Sequence, residues 1–131
     1  TYYVLYGHDC CFCVQGSGIM VYKATSPMGP WEPQPGGDLA CVDENSTNFF
    51  HNTLGAKPTP GQGCLYNTPR QVSVTRAQQN FVIEVPHNTT NETTYIWTGD
   101  MWQQAPDGIK GHEGQFWTPL TFDSGGDIGR V

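Results

Sequence analysis

Short apolar runs separated by turn-forming residues dominate the hydrophobic pattern of this chain. The runs are rich in Val, Ile, Tyr, Phe and Trp, and they are bounded by Gly, Pro, Asn and Asp. None of them keeps a helical period for three turns, so the pattern predicts an all-β protein. The predicted strands lie near 2–7, 18–25, 79–85, 93–99 and 115–122.

A long segment rich in Pro and Gly separates two clusters of predicted strands. Residues 26–31 have the composition of a turn that ends the first cluster. A loop as long as the one that follows is uncommon in a compact domain and is usually functional or cross-linked. We expect about two small antiparallel sheets: a blade-like unit at 1–35, a Cys/Pro/Gly loop at 36–77 and a second blade-like unit at 78–131.

Length and charge narrow the class of protein. The chain has 131 residues, enough for one domain or part of one, and carries a net charge of −6. It lacks the basic stripe that binds a phosphate backbone, so nucleic acid is not an expected partner. No apolar run approaches the roughly 18 residues of a membrane-spanning helix, so no membrane partner is expected either.

Cysteines and glycosylation sequons indicate a secreted, extracellular glycoprotein. Disulfides persist in oxidising compartments, where they could staple the loops of a Gly/Pro-rich chain. The count of 5 cysteines is odd, which leaves one thiol free or paired with another chain, and the sequence does not give the pairing. The cysteines are Cys10, Cys11, Cys13, Cys41 and Cys64, and the sequon asparagines are Asn45, Asn88 and Asn91.

Two segments carry part of a metal-site pattern. Cys10 and Cys13, with His8 before them, have the spacing of half a tetrahedral zinc site, but no second half follows. The segment Asp123–Asp127 suggests calcium but lacks the carboxylate at the twelfth position of a calcium loop. We therefore expect no metal cofactor, with calcium as the alternative, and interpret Asp123–Asp127 as a turn.

Five motifs occur in a fixed order along the chain. They are Tyr2–Gly7, Ser26–Trp31, Gln78–Val82, Trp97–Trp102 and Phe116–Leu120. In this order they resemble the last two blades of five-bladed β-propeller glycosidases of glycoside hydrolase family 43. The similarity is greatest to the branch of exo-β-1,3-galactanases and eukaryotic relatives with a cysteine-rich segment after the first motif. It implies four-stranded antiparallel blades and a galactan, arabinan or xylan-type glycan as substrate or ligand.

The resemblance also implies that this chain lacks hydrolytic activity by itself. Glycoside hydrolysis normally needs two carboxyl groups across the scissile bond. In the family these come from earlier blades, and no residue here matches them. The chain therefore resembles the far side of a sugar pocket without its catalytic acids.

Four types of side chain remain as candidates for that pocket. Galactanase-like members place a glutamine where a general base is expected, and a carboxamide at that position can orient a water. A carboxylate can accept hydrogen bonds from sugar hydroxyls, and a tryptophan ring can stack on the flat face of a pyranose. The candidates are Gln78 and Gln79 for the water, and Asp100, Trp102 and His8 for substrate binding.

Each candidate has a structural alternative. Tryptophans suit a blade core, and Trp102 is the best exception because polar residues follow it. Strand alternation puts Trp97 and Asp100 on opposite faces, so both cannot line one pocket without a bulge. One of Gln78 and Gln79 is expected to face away from any site. The remaining alternatives are Trp31 and Trp117 in the core, Asp100 as a turn cap, Glu84 facing solvent, His8 and His112 as structural histidines, and Glu113 as a further pocket residue.

Two hypotheses follow from these observations. Position 1 opens on an apolar run without the basic region of a signal peptide, so we expect a processed product or part of a longer protein. The first hypothesis is the C-terminal part of a family-43-like glycosidase whose partners are a glycan and the missing blades. The second is a non-catalytic extracellular module whose exposed sheet edges and faces assemble with other copies into an oligomer or fibril.

Overall fold

The computed structural model describes residues on both sides of the long loop and some residues within it. Side chains are described at 1–7, 12, 14, 16–35, 39, 75–129 and 131, and the backbone alone at 41–43 and 71–73. The predicted residues His8, Cys10, Cys11, Cys13, Asn45 and Cys64 lie outside this part of the chain, and the Cys41 side chain is not described. The disulfides therefore remain a prediction.

The described residues form eight strands and one turn of 3₁₀ helix. All five predicted strands are present, and three short strands were not predicted. The described part of the chain contains no α-helix, and none of its helices could span a membrane. The strands are β1 Tyr2–Tyr6, β2 Met20–Ala24, β3 Glu32–Pro33, β4 Cys41–Asp43, β5 Gln71–Ser73, β6 Gln78–Pro86, β7 Thr93–Asp100 and β8 Gln115–Pro119, with the 3₁₀ turn at Lys110–His112.

The strands pair in chain order into three antiparallel sheets. Sheet A contains β1, β2 and β3, sheet B contains β4 and β5, and sheet C contains β6, β7 and β8. The all-β prediction with two small antiparallel sheets is confirmed. The two larger sheets have three described strands each, where the family resemblance implies four-stranded blades.

A β-bulge near the start of β6 bends sheet C. The register between β6 and β7 shifts between Gln79 and Val82. The hydroxyl of Thr98 lies at this irregularity, where it donates to the Phe81 carbonyl oxygen at 2.9 Å and accepts from the Phe81 N–H at 3.4 Å. A bulge leaves backbone groups of the extra residue outside the ladder, and here a buried side chain satisfies them.

One apolar core joins sheet A, sheet C and the C-terminal segment. The inward side chains of β1 and β2 meet the inward face of β7, where Trp97 is fully buried. Gln34 ties the C-terminal segment to sheet A through two buried bonds with the Ile128 backbone, at 2.8 and 2.7 Å. The core residues are Ile19, Val21, Leu39, Ala77, Trp97, Leu120, Ile128 and Val131, with Tyr3, Leu5, Val82, Tyr95, Met101 and Phe116 packed against them.

Replacing Gly99 by alanine should destabilise the fold. A methyl group at this position would overlap the Trp97 ring and lie 2.8 Å from the Ala77 Cβ. Overpacking of this kind costs about 1–3 kcal/mol, and we expect the free energy of unfolding in urea to fall by that amount. Gly111→Ala is the control, because its new methyl group meets nothing within 4 Å. Equal losses in both variants would contradict the packing around Trp97.

Candidate functional site

Three strands of sheet C bring polar residues together at one end of the sheet. β6 begins there, β7 ends there, and β8 begins there, since neighbouring strands are antiparallel. Asp100 is directly opposite Gln78 on one side and Gln115 on the other. Directly paired residues point to the same face, so the three side chains form one row across the sheet.

A chain of hydrogen bonds extends this row to an exposed tryptophan. The Gln115 side-chain amide donates to Asp100 Oδ1 at 3.0 Å. The Trp117 indole N–H in turn donates to Gln115 Oε1 at 3.0 Å. Trp117 was expected in the core but is 58% exposed, because it alternates with the inward Phe116 and so points to the outer face of sheet C.

The two candidate glutamines have different surroundings. Gln79 accepts a hydrogen bond from the indole N–H of the buried Trp97, and its own backbone N–H donates to Ser17 Oγ at 2.9 Å. The Gln78 side-chain oxygen accepts from the backbone N–H of Phe12 at 2.9 Å. Both side-chain oxygens therefore already accept a hydrogen bond from the protein, and the one at Gln79 satisfies the buried indole N–H of Trp97.

Trp102 lines a cleft beside this row. Its ring meets the Phe12 ring edge to face, with centroids 4.6 Å apart. The ammonium group of Lys110 lies 4.7 Å from the centroid of the Trp102 ring, a distance at which a cation is attracted to an aromatic face. The cleft has a volume of about 400 Å³, within the range of ligand pockets. Its lining residues are Phe12, Trp102, Gln103, Ala105, Gly108, Lys110 and Glu113.

Hydrogen bonds hold the polar groups of this cleft in place. Glu113 accepts from the backbone N–H of Gln103 at 2.7 Å, and the Gln103 side-chain amide donates to the Phe12 carbonyl oxygen at 2.7 Å. Gln103 adopts a left-handed conformation with φ of 57°, which is uncommon outside glycine. The cleft is thus built by contacts between residues 12 and 103, which sequence proximity could not indicate.

The Trp102 indole nitrogen is buried without a hydrogen-bond partner among the described residues. A buried donor that lacks an acceptor costs about 1–3 kcal/mol. Such groups in native proteins are often completed by water or a ligand. Among the described residues, the indole nitrogen of Trp102 is therefore a buried donor whose hydrogen bond is not supplied.

The loop that carries Lys110 is fixed by an acid and a histidine. The Asp107 carboxylate contacts His112 Nδ1 at 2.7 Å and accepts from the Ile109 backbone N–H at 3.0 Å. The hydrogen bond to His112, followed by that to Ile109, lowers the pKa of Asp107 below its ordinary value. His112, expected as a structural histidine, thus positions the 3₁₀ turn at Lys110–His112.

The described residues do not supply a second carboxylate to this cleft. Glu113 is the one acid among the lining residues. Paired carboxyl groups are the usual requirement for glycoside hydrolysis. Within the described part of the chain, no group of three or more His, Cys, Asp or Glu residues could hold a metal ion. The arrangement is suited to binding through aromatic, amide, ammonium and carboxylate groups.

Asp123–Asp127 forms a turn, as expected. Asp123 Oδ1 accepts from the backbone N–H groups of Gly125 at 2.8 Å and Asp127 at 2.9 Å. Asp127 forms an ion pair with Lys23 of β2. These carboxylates therefore hold the turn and attach it to sheet A.

Some residues of the site were not among the sequence candidates. Phe12 lies in the cysteine-rich segment, and Lys110 lies between glycines in a polar loop. Neither position has a local pattern that marks it. Trp117 and Gln115 belong to a predicted strand, and the position of that strand beside Asp100 gives them their place.

Comparison of the chain with protein-family models, curated proteins and solved structures finds no match in any of the three. The resemblance to glycoside hydrolase family 43 therefore depends on the sequence motifs. The geometry of this end of sheet C is the basis for a functional proposal.

The titration of Asp107 should depend on His112. The lowered pKa means that the contact contributes stability above the ordinary pKa of 3.8, and this is lost as the pH falls through the lower folded value. We expect the NMR titration midpoint of the Asp107 carboxyl carbon to lie below 3.8 and to rise in His112→Ala. His87→Ala is the control, because His87 contacts Thr94 at 2.7 Å instead of an acid. An unchanged midpoint in His112→Ala would contradict the assigned cause.

Proposed function

We propose that this chain is an extracellular glycan-binding module related to the C-terminal blades of a family 43 glycosidase, and that it does not hydrolyse glycans by itself. The observation that carries the proposal is the cleft where Trp102 and Phe12 meet the polar side chains of Gln103, Lys110 and Glu113. A pyranose has C–H-rich faces and a rim of hydroxyls. A cleft with aromatic rings and both donors and acceptors matches both properties.

The charges of the cleft favour hydroxyl recognition. Lys110 offers three donors, Glu113 offers acceptor oxygens, and the Gln103 amide offers both types. Lys110 lies over the Trp102 ring, so a sugar that stacks on that face displaces the ammonium group onto the sugar rim. The cation–π contact that is lost is worth about 0.5–1 kcal/mol at an exposed site, less than the burial of an aromatic ring face.

We expect no hydrolysis because of the number of carboxylic acids among the described residues that line the cleft. Glu113 is the one carboxylic acid of the described lining, which offers no opposing carboxylate to activate a water. The side-chain oxygens of Gln78 and Gln79 already accept protein N–H groups. Binding without bond cleavage is therefore the favoured function for these residues.

The sequons support an extracellular location. Asn88 and Asn91 lie in the exposed turn between β6 and β7, at the opposite end of sheet C from the cleft. Glycans attached there would project into solvent without covering Trp102. Asn45, the third sequon, lies outside the described residues.

An assembling structural module is the alternative, and the outer face of sheet A favours it. Tyr2, Val4 and Tyr6 alternate on this face and are 49%, 42% and 38% exposed. At roughly 200 Å² for a whole aromatic side chain, they expose about 250 Å². About 57% of the roughly 800 Å² that each partner of a stable protein interface buries is apolar, so these three side chains supply about half of the apolar surface that such an interface needs. Light scattering coupled to size exclusion separates the two functions, since concentration-dependent oligomers would support assembly.

Replacing Trp102 should weaken glycan binding. We expect neutral oligosaccharides of β-1,3-galactan, arabinan or xylan to bind in isothermal titration calorimetry without release of reducing sugar. Burial of an aromatic face is worth about 1.5–3 kcal/mol, so Trp102→Ala should raise Kd by about 10-fold to 100-fold. Met28→Ala is the control, because Met28 is exposed on a distant turn of sheet A. Reducing-sugar release by the wild-type chain, or equal affinity of both variants, would contradict the proposal.

Expression through a eukaryotic secretory pathway should add N-glycans to the β6–β7 turn. We expect the intact mass to fall on treatment with peptide N-glycosidase, and the fall to shrink in Asn88→Gln and Asn91→Gln. Glycan binding should be unchanged in both variants, since the turn is far from the cleft. A mass that does not respond to the glycosidase would contradict glycosylation.

A further inference from the structure

Trp117 is an exposed tryptophan whose orientation is favoured by hydrogen bonds among its neighbours. It lies on the outer face of sheet C, opposite the buried Thr98 of β7. Its indole N–H donates to Gln115, and the Gln115 amide donates to Asp100, each at 3.0 Å. A ring that is held in place before a ligand arrives loses little conformational entropy on binding. The two hydrogen bonds therefore favour one orientation of the exposed ring.

Acceptor and donor groups adjoin this ring. Asp100 Oδ1 accepts from Gln115, and its other carboxylate oxygen has no hydrogen bond to the described residues. Gln78 continues the row on β6. A flat aromatic face beside a carboxylate and amides is the combination that stacks on the C–H face of a pyranose and accepts from its hydroxyls.

This surface is separate from the Trp102 cleft. Asp100, Gln115 and Trp117 are not among the residues that line that cleft. The two surfaces are nevertheless neighbours, because Asp100 and Trp102 are two residues apart in the chain. One oligosaccharide of a few rings could contact both.

The Asp100 carboxylate favours a sugar over a protein partner on this surface. The large exposed apolar side chains of sheet C are Phe81, Val85 and Trp117. At roughly 200 Å² for a whole aromatic side chain, they expose about 300 Å², against the roughly 450 Å² of apolar surface that each partner of a stable protein interface buries. A covering protein layer would also bury the Asp100 carboxylate beside apolar groups, which is costly without a paired charge.

We propose that Trp117, Gln115 and Asp100 form a second saccharide-binding surface, which takes neutral pyranose units with a C–H-rich face. It rests on the proposed function for the class of ligand, but it uses different residues. The Asp100 carboxylate accepts hydrogen bonds from hydroxyl groups and repels the carboxylate of a uronic acid. The surface therefore selects neutral sugars over acidic ones.

The test is an NMR titration that observes the indole N–H signals of Trp102 and Trp117 separately in the intact chain. Neutral β-1,3-galactotriose should shift the Trp117 signal. The Kd of trigalacturonic acid, measured from the same signal, should be at least tenfold higher. Trp117→Ala should raise the Kd for galactotriose by about tenfold, and Asp100→Asn should reduce the discrimination against the acidic sugar. Phe81→Ala is the matched control, since Phe81 and Trp117 are similarly exposed, at 56% and 58%.

The outcomes separate the two surfaces. A shift of the Trp102 signal alone overturns the second surface and supports the cleft, whereas a shift of the Trp117 signal alone overturns the cleft and supports the second surface. No shift of either signal overturns both. An equal loss of affinity in Phe81→Ala and Trp117→Ala, or a change of oligomeric state in Trp117→Ala without a change in affinity, also overturns the second surface.

Discussion

The burial of Trp97 is the interaction on which the rest of the described structure depends. This side chain lies fully buried where sheet A, sheet C and the C-terminal segment meet. Gln79 satisfies its indole N–H, and Gly99 leaves room for its ring beside Ala77. An indole buried without that acceptor would cost about 1–3 kcal/mol, a large share of the stability of a small domain. The inner face of sheet C is therefore organised by the Trp97 ring and by the residues that pack against it or bond to it, Gln79, Gly99 and Ala77.

The placement of Trp97 determines what the outer face of the same sheet can do. Alternation along β7 turns Asp100 away from the core, and the register with β8 puts Gln115 and Trp117 beside it. The same strand end leads into Trp102, whose ring closes one side of the cleft. The side chains of Asp100, Gln115 and Trp117 thus collect at this end of sheet C because strand alternation turns these positions away from the core. The net charge of −6 is consistent with a neutral ligand there, since an acidic one would meet a like-charged protein.

Much of the fold could be predicted from the sequence because its signals are local. The five main strands follow from alternating apolar runs bounded by turn residues, and Asp123–Asp127 follows from the tendency of Asp to accept backbone N–H groups in turns. The short strands Glu32–Pro33, Cys41–Asp43 and Gln71–Ser73 were missed, because two or three residues are too few to show a period. Trp117 was expected in the core because composition alone does not say which face of a strand a residue occupies. Its exposure follows from the register of β8 against β7.

The sequence by itself determined the fold class and the main strands, because these depend on residue type and on the spacing of neighbours in the chain. Only the tertiary structure decided that Gln79 serves the core while Gln78 meets Phe12, and that Lys110 lies over Trp102. These contacts join residues that are far apart in the chain. They form where strand register, the β6 bulge and the loop at 103–114 bring the backbones together. No local pattern encodes them, because they depend on which distant segments of the chain the fold brings together.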